Sequence, residues 1–594
     1  MVEHPPSVET EARPLWFGPD DRPLFGWLHA PVDGSVRGGV VLCQPMGIEA
    51  ICTYFTYRVL AEELAQRGLA VLRFDYDGTG DSSGRETDPD RLDAWLDSVS
   101  SATDYLLDAG VPTCALVGVR MGGLFAANEA CRRGGVDALV LWDACLSGRS
   151  FLREQTFLRH LSGTGDHLPA GPDDGAVEAP GLRFARETVK SLGDLDLGRM
   201  EGTLAKRTLV LTPPTMSRPR RLQRRLEGCA VDWQEATGQK ELLDSALQAT
   251  PFETIARTAD WLSDALHGDP VGLVLPDLNP NAVVDRPTLG GPVVERPVEL
   301  GPLRLFGMVT EPGTGASGPT IVFVNEGNTH HIGQARIWVD LARALASSGL
   351  RVLRFDLSGN GDSATRPGQP AHVARAPEAI DDVYEAMAAI APDRPGDVVL
   401  VGFCSGAYQV VEQALIHPPR GICIINPSFS FVPPERPPTA RPARRATRGW
   451  VLRVVGPVLG WWGRDREPAE RERWVRSVEA GTWPESIATR HPEIPSAVWW
   501  AVNHALVENP PIGTLEHILD SGVDTLLVCG PGDLLPVTLG AEGRMRRLEK
   551  APRFTLALLG DLDHASWVLR QREALIDVVQ THLTDAYGVR NPGP

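Results

Sequence analysis

Several features that would classify the chain at once are missing from its sequence. None of the nine cysteines stands in C-x-x-C spacing, so a zinc knuckle or a redox pair has no support. They are odd in number and sit mostly in apolar runs, such as Val40-Val-Leu-Cys43 and Leu526-Leu-Val-Cys529, the setting of free buried thiols in a reducing compartment. No stretch reaches the roughly 18 uncharged apolar residues of a membrane helix, and the opening MVEHPPSVETEARP has no apolar core of a signal peptide. These absences predict a soluble, cytoplasmic protein. Basic charge is also short: 58 Lys and Arg against 76 Asp and Glu leave a net charge of −18, which excludes the broad basic face of a nucleic-acid binder. Hydrophobic residues at 42% and charged residues at 23% exclude disorder, collagen and coiled coil for the bulk of the chain. At roughly 150 residues per domain, 594 residues are too many for one core.

What the sequence does contain is one pattern written twice. Leu24-Phe-Gly-Trp-Leu-His-Ala-Pro31 returns as Leu305-Phe-Gly-Met-Val-Thr-Glu-Pro312. Leu69-Ala-Val-Leu-Arg-Phe-Asp-Tyr-Asp-Gly-Thr-Gly-Asp-Ser82 returns as Leu350-Arg-Val-Leu-Arg-Phe-Asp-Leu-Ser-Gly-Asn-Gly-Asp-Ser363, both offset by 281 residues. Leu116-Val-Gly-Val-Arg-Met-Gly122 returns as Leu400-Val-Gly-Phe-Cys-Ser-Gly406, offset by 284. The chain is a tandem duplication.

Each copy alternates short apolar runs with amphipathic segments. In the second copy the patterning predicts strands at Thr320–Val324, Arg351–Phe355 and Asp397–Val401, and helices at Gln334–Ser348, Glu378–Ile390 and from Phe403 onward. Continuous apolar strands between helices predict an α/β fold, a mostly parallel sheet covered by helices on both faces. The expected layout is a mobile tail at 1–12, a first domain at 13–267, a Pro- and Gly-rich linker at 268–297 and a second domain at 298–594.

The run Gly402-Phe403-Cys404-Ser405-Gly406, between a strand and a helix, resembles the nucleophile elbow of the α/β-hydrolase superfamily. The similarity extends over both copies nearly end to end. The sequence also looks like a bacterial subgroup with an Asn-x-Gly loop after the first core strand, here Asn325-Glu-Gly-Asn-Thr-His-His331, and a G-x-C-S-G-A elbow, here Gly402–Ala407. Members often accompany exopolysaccharide or specialised-metabolite pathways, and their substrates are poorly defined. The resemblance implies two tandem α/β-hydrolase folds and the chain order nucleophile, acid, histidine. Cys404 fits the first. Asp533, in the turn after Thr525–Cys529, fits the second, with Asp561 and Asp563 as rivals. His564, after the apolar run from Phe554, fits the third.

In such a triad His564 takes the Cys404 proton while Asp533 holds the imidazole tautomer. The oxyanion would rest on the backbone N–H of Ser405 and on a second donor from the loop, Gly327 or Asn328. The product is a thioester acyl-enzyme, open to water or to another nucleophile. The expected substrate is a small ester or thioester. His330 and His331 either polarise a substrate carbonyl or merely line their loop, and the D-x-x-G-x-G-D-S turn of Asp356, Asp362 and Ser363 is structural, because both copies keep it. No motif calls for a metal, nucleotide or flavin cofactor.

The first copy breaks the pattern. Arg120 occupies the nucleophile position, and a guanidinium protonated at any working pH forms no acyl-enzyme. The strand from Leu209 ends in Pro213-Pro-Thr215 without a carboxylate, and no histidine lies between His167 and His267. The first copy therefore reads as a degenerate domain that packs on the second as a built-in partner. Arg120 either holds a substrate carboxylate or phosphate or pairs internally with an acidic side chain. A lid insertion is expected at about 430–520, where Arg436–Arg453 holds six arginines and no acid and leads to Trp450, Trp461, Trp462, Trp499 and Trp500. That stretch suits an acyl substrate or an acidic partner such as an acyl carrier protein. Competing readings are an acyltransferase or condensing enzyme using the same triad, a dienelactone-type hydrolase, and a non-catalytic scaffold.

Overall fold

The computed structural model describes residues 8–161, 174–214, 216–244, 248–276, 280–285, 291–373, 376, 378–427, 511–531, 533, 542–564, 566 and 568–588. They fall into two compact units. One draws on Met1–Gly318, Asn328–His372 and Ala565–Pro594, the other on Pro319–Gly327 and Val373–His564. The division does not follow the repeat. The first unit holds the whole first copy together with the opening strands and a central segment of the second.

In the first unit an eight-stranded sheet runs in the spatial order Thr10–Phe17, Leu24–Pro31, Ala70–Phe74, Gly39–Cys43, Cys114–Val119, Val136–Trp142, Ala205–Thr212, Ala230–Glu235. The first three pair antiparallel and the remainder parallel. Strand residues alternate between two cores, as the period of two requires. Val41 and Cys43 pack with Trp95, Val99 and Phe125 on one face, while Val40 and Leu42 pack with Tyr57, Leu60 and Leu262 on the other. Both faces being covered explains why these strands read as unbroken apolar runs rather than alternating ones.

The repeat seen in the sequence reappears in the register. Gly26 opposes Phe74 in the first copy, and Gly307 opposes Phe355 in the second. Among its described residues the second unit carries five parallel strands, Thr320–Val324, Val398–Phe403, Gly421–Ile425, Asp524–Cys529 and Phe554–Leu558, in that order. Its register puts Val324 opposite Gly402, as Cys43 stands opposite Gly118. Helices Ala379–Ile390 and Ser405–Ile416 follow their strands where the patterning placed them. The helix expected from Gln334 begins with a 3-10 turn at Gln334–Arg336 and turns α-helical at Ile337–Ser347, because Ala335 and Arg336 both have positive φ.

Two boundaries need correction. Residues 268–297 are not a bare linker. They contain the strand Ala282–Asp285 and the start of Val293–Leu300, which pair with each other, and the latter pairs in turn with Leu305–Pro312. Their Pro, Gly and Asp content hid a strand whose burial alternates. The tail also ends earlier than expected, since a strand starts at Thr10. The expected lid lies outside the described residues from 430 to 510, its arginine run and tryptophans included, and its last ten residues form the helix Pro511–Asp520.

At the elbows the chain makes the same strained turn twice. Cys404 has φ 51° and ψ −112°, and Arg120 has φ 52° and ψ −118°, a region that disfavours a residue with a side chain. The flanking glycines allow it. A Cβ on Gly406 would lie 2.3 Å from the Val324 carbonyl oxygen, and one on Gly122 only 2.0 Å from that of Cys43. Both obstacles are backbone, which cannot swing aside. Gly406→Ala should therefore lower stability by roughly 1–3 kcal/mol or more, and an unchanged urea midpoint would contradict this account of the turn.

Candidate active site

Within the second unit, strand Val398–Phe403 delivers Cys404 to the N-terminus of helix Ser405–Ile416. The Cys404 amide is tied to the Ile425 carbonyl at 3.0 Å, which fixes the turn against the neighbouring strand. His564, after strand Phe554–Leu558, brings Nε2 to 3.2 Å from Cys404 Sγ. Its Nδ1 lies 2.5 Å from Asp533 Oδ1, just beyond strand Asp524–Cys529. The three side chains thus form a continuous chain of contacts from the ends of three strands of one sheet. Asp533, rather than Asp561 or Asp563, faces the ring.

Burial works against a charged His564, but the hydrogen bonds to Asp533 and Cys404, with the charges of both, raise its pKa to about 10. The ring is nevertheless half exposed, so solvent screens part of that effect. Gly327 Nα donates to Ser405 Oγ at 2.7 Å, which brings the loop amide beside the first residue of the helix. Ser405 is buried, and as that helix's first residue its own amide belongs to a turn without intrahelical acceptors. Asn328, His330 and His331 belong to the first unit.

There the two histidines differ. His331 is fully buried, with Nδ1 at 3.0 Å from Asp356 and Nε2 at 2.6 Å from Asp81. Burial alone would strip its proton, yet the two carboxylates hold it and raise the pKa to about 10. Arg354 adds a bond to Asp81 at 2.5 Å and one to Glu295 at 2.8 Å, and Arg343 reaches Glu295 at 2.8 Å. This is a closed network of buried charges. His330 stacks on Tyr54 with centroids 3.6 Å apart, and its pKa is pushed down to about 3 by burial and then by the neighbouring His331 charge, so its ring is neutral. It also borders a cavity of about 80 Å³ with Met46, Ile51, Tyr76, Leu182 and Ile332.

Arg120 takes the internal option. Its guanidinium meets Glu49 at 3.1 Å, Asp143 at 3.5 Å, and Glu154. Three carboxylates already match its charge, so it offers a substrate carboxylate or phosphate no uncompensated cation. Asp356 and Asp362 keep a structural role as well. Asp356 accepts from the Asp362 amide at 2.9 Å and Ser363 Oγ donates to the Asp356 carbonyl at 2.6 Å, and Asp75, Asp81 and Ser82 repeat both bonds.

Two family models match the chain. The model of the alpha/beta hydrolase family matches residues 321–578, and that of serine aminopeptidase S33 matches residues 36–163. The chain is a tandem α/β-hydrolase-superfamily protein. Among solved structures, this tandem hydrolase is similar to DcsB in complex with its substrate analogue, at 19% identity over 43% of this chain and 99% of that one, with a TM-score of 0.31. Est1E of Butyrivibrio proteoclasticus with bound ferulic acid is 18% identical over 41% of this chain and 99% of its own, with a TM-score of 0.31. The proline iminopeptidase of Mycobacterium smegmatis is 16% identical over 43% and 99%, with a TM-score of 0.30. No curated protein matches the tandem hydrolase. Among its described residues no group of three or more His, Cys, Asp or Glu side chains is arranged to hold a metal ion, and no helix is long and apolar enough to cross a membrane.

The His331 network has a pH signature. A histidine whose folded pKa lies above its unfolded value of about 6.5 contributes fully below that value, and the contribution fades as pH rises toward 10. Unfolding free energy should drop by on the order of 1–3 kcal/mol between pH 7 and 10, and His331→Gln should flatten that slope. An equal slope in the variant would sink the assignment.

Proposed function

We propose that the second copy is an acyl-transfer enzyme that cleaves a small ester or thioester through Cys404. The observation that carries this reading is the unbroken Cys404–His564–Asp533 contact chain on an elbow at a helix N-terminus. His564 Nε2 takes the thiol proton, and Asp533 holds Nδ1–H and stabilises the imidazolium that results. The positive end of the helix favours the sulfur anion. Sγ attacks the acyl carbonyl, and the charge that develops on its oxygen is met by the Ser405 amide and the loop amide at Gly327. In the resting structure the Gly327 amide is occupied by the Ser405 hydroxyl, so the acyl oxygen displaces that hydroxyl as it enters. The tetrahedral adduct expels the alcohol or thiol with the proton from His564 and leaves a thioester. His564, neutral again, then takes the proton of water, or of another nucleophile, which attacks the thioester and frees Cys404.

The first copy lacks all three groups and serves as a structural partner. Support lies in an exchange of ion pairs inside the first unit. Arg73 of the first copy holds Asp362 of the second at 2.6 Å, and Arg354 of the second holds Asp81 of the first at 2.5 Å. Arg73 and Arg354, like Asp81 and Asp362, are repeat equivalents 281 residues apart. Phe25 stacks on its own equivalent, Phe306, with centroids 6.5 Å apart. Reciprocal contacts about a self-paired residue are the pattern of a two-fold dimer interface, here within one chain. All nine cysteines are free and six are buried, which suits a reducing, cytoplasmic setting.

Intact mass after incubation with a panel of activated esters and acyl thioesters tests the reading. The wild type should gain the acyl mass and Cys404→Ala should not. His564→Ala should form the adduct at least about 100-fold more slowly. An adduct that survives Cys404→Ala, or none from any donor, would remove the proposal, and decay with water against decay with added amine or alcohol separates hydrolysis from transfer.

A further inference from the structure

The acid and the base of this site ride on two separate loops, and sequence alone offers no reason why they should meet. Asn426 lies between those loops. It is the first residue after strand Gly421–Ile425, is completely buried, and has φ 40°, a left-handed conformation that asparagine tolerates better than most residues. Its amide is fixed to the Val528 carbonyl at 2.9 Å, so the side chain has a set origin. Nδ2 donates to the Asp563 carbonyl at 3.0 Å, one residue before His564. Oδ1 accepts from the Gly530 amide at 2.9 Å, three residues before Asp533. The two loops also approach closely there, since a Cβ on Gly530 would lie 2.1 Å from the Leu562 carbonyl oxygen.

We infer that Asn426 is a positioning residue that sets the Asp533–His564 hydrogen bond by clamping the two loops together. The amide does both jobs with separate atoms, Nδ2 as the donor of one bond and Oδ1 as the acceptor of the other. The first copy supplies an internal comparison. Asp143 occupies the same step after its strand, with φ 45° and the same backbone bond, to Leu211 at 2.8 Å. Its side chain has turned instead to Arg120 and to Gln239. The copy without acid and base is the copy without the clamp. An aspartate at 426 would keep the acceptor for Gly530, lose the donor, and set a carboxylate against the Asp563 carbonyl.

This inference rests on the reading of Cys404 as nucleophile, and the experiment separates the two. Turnover and Cys404 alkylation by iodoacetamide at pH 6 and pH 9 are measured for wild type, Asn426→Asp and Asn426→Ala, with thermal melting of each. Asp143 shows that the backbone accepts aspartate at this step, so Asn426→Asp folds even where Asn426→Ala is too unstable to assay. The clamp predicts a fall in kcat of tenfold or more at nearly constant KM. It also predicts a smaller ratio of alkylation at pH 6 to that at pH 9, with Asn426→Asp losing less than Asn426→Ala. A reactive wild-type Cys404 with Asn426→Asp unchanged in kcat and in that ratio would overturn the clamp alone. A wild-type Cys404 that reacts like an ordinary thiol, with no acyl adduct, would remove the proposed nucleophile and the clamp together.

Discussion

The strand-to-helix turn at residues 402–406 is the constraint on which the site depends. It forces one residue into a left-handed conformation at the end of a parallel strand and at the start of a helix. Glycines on either side are required because the backbone of the adjoining strand and helix leaves no room for a Cβ. The cost of such a turn, on the order of 1–3 kcal/mol, persists only because the surrounding sheet holds it. The first copy keeps the turn at 118–122 with Arg120 in place of the sulfur. The geometry belongs to the fold, and the chemistry belongs to the one side chain that the turn presents.

The two copies have diverged in how they use equivalent positions. Where Cys404 meets a histidine and an acid, Arg120 meets three carboxylates and becomes an internal ion pair. Where Asn426 bridges two loops, Asp143 helps to neutralise that arginine. In the first copy, where arginine stands at the position of Cys404, the neighbouring polar groups form an internal ion-pair cluster. That is the stable outcome for buried charge, because an unpaired ion left there would cost several kcal/mol. The GDS turns took a different course. Their aspartate is kept in each copy, as Asp81 and Asp362, and each is engaged with the other copy's arginine.

Much of this was legible from the residues. The repeat offset of 281 predicted the shared strand register, and the elbow glycines marked Cys404 and Arg120 as equivalent. Strands buried on both faces announced themselves as apolar runs. Composition points to a linker at 268–297 because Pro, Gly and Asp there outweigh the signal of the strands among them. The roles of His331 and Asn426 were out of reach for a different reason. Asp81 and His331 are 250 positions apart, and Asn426 is a lone polar residue at a strand end whose partners lie more than a hundred positions away. Contacts of that kind are products of topology, and local pattern does not encode them.

The central claim is that one thiol of nine is chemically distinct because of where the elbow puts it. Cys131, Cys229 and Cys404 are the three that are partly exposed, so accessibility alone would let all three react alike. The most direct measurement is peptide mapping of all nine cysteines after limiting iodoacetamide at neutral pH. The account predicts that Cys404 is labelled first, at least about tenfold ahead of Cys131 and Cys229, as expected for a thiol paired with His564. Equal labelling of the three, or faster labelling of either of the others, would contradict it.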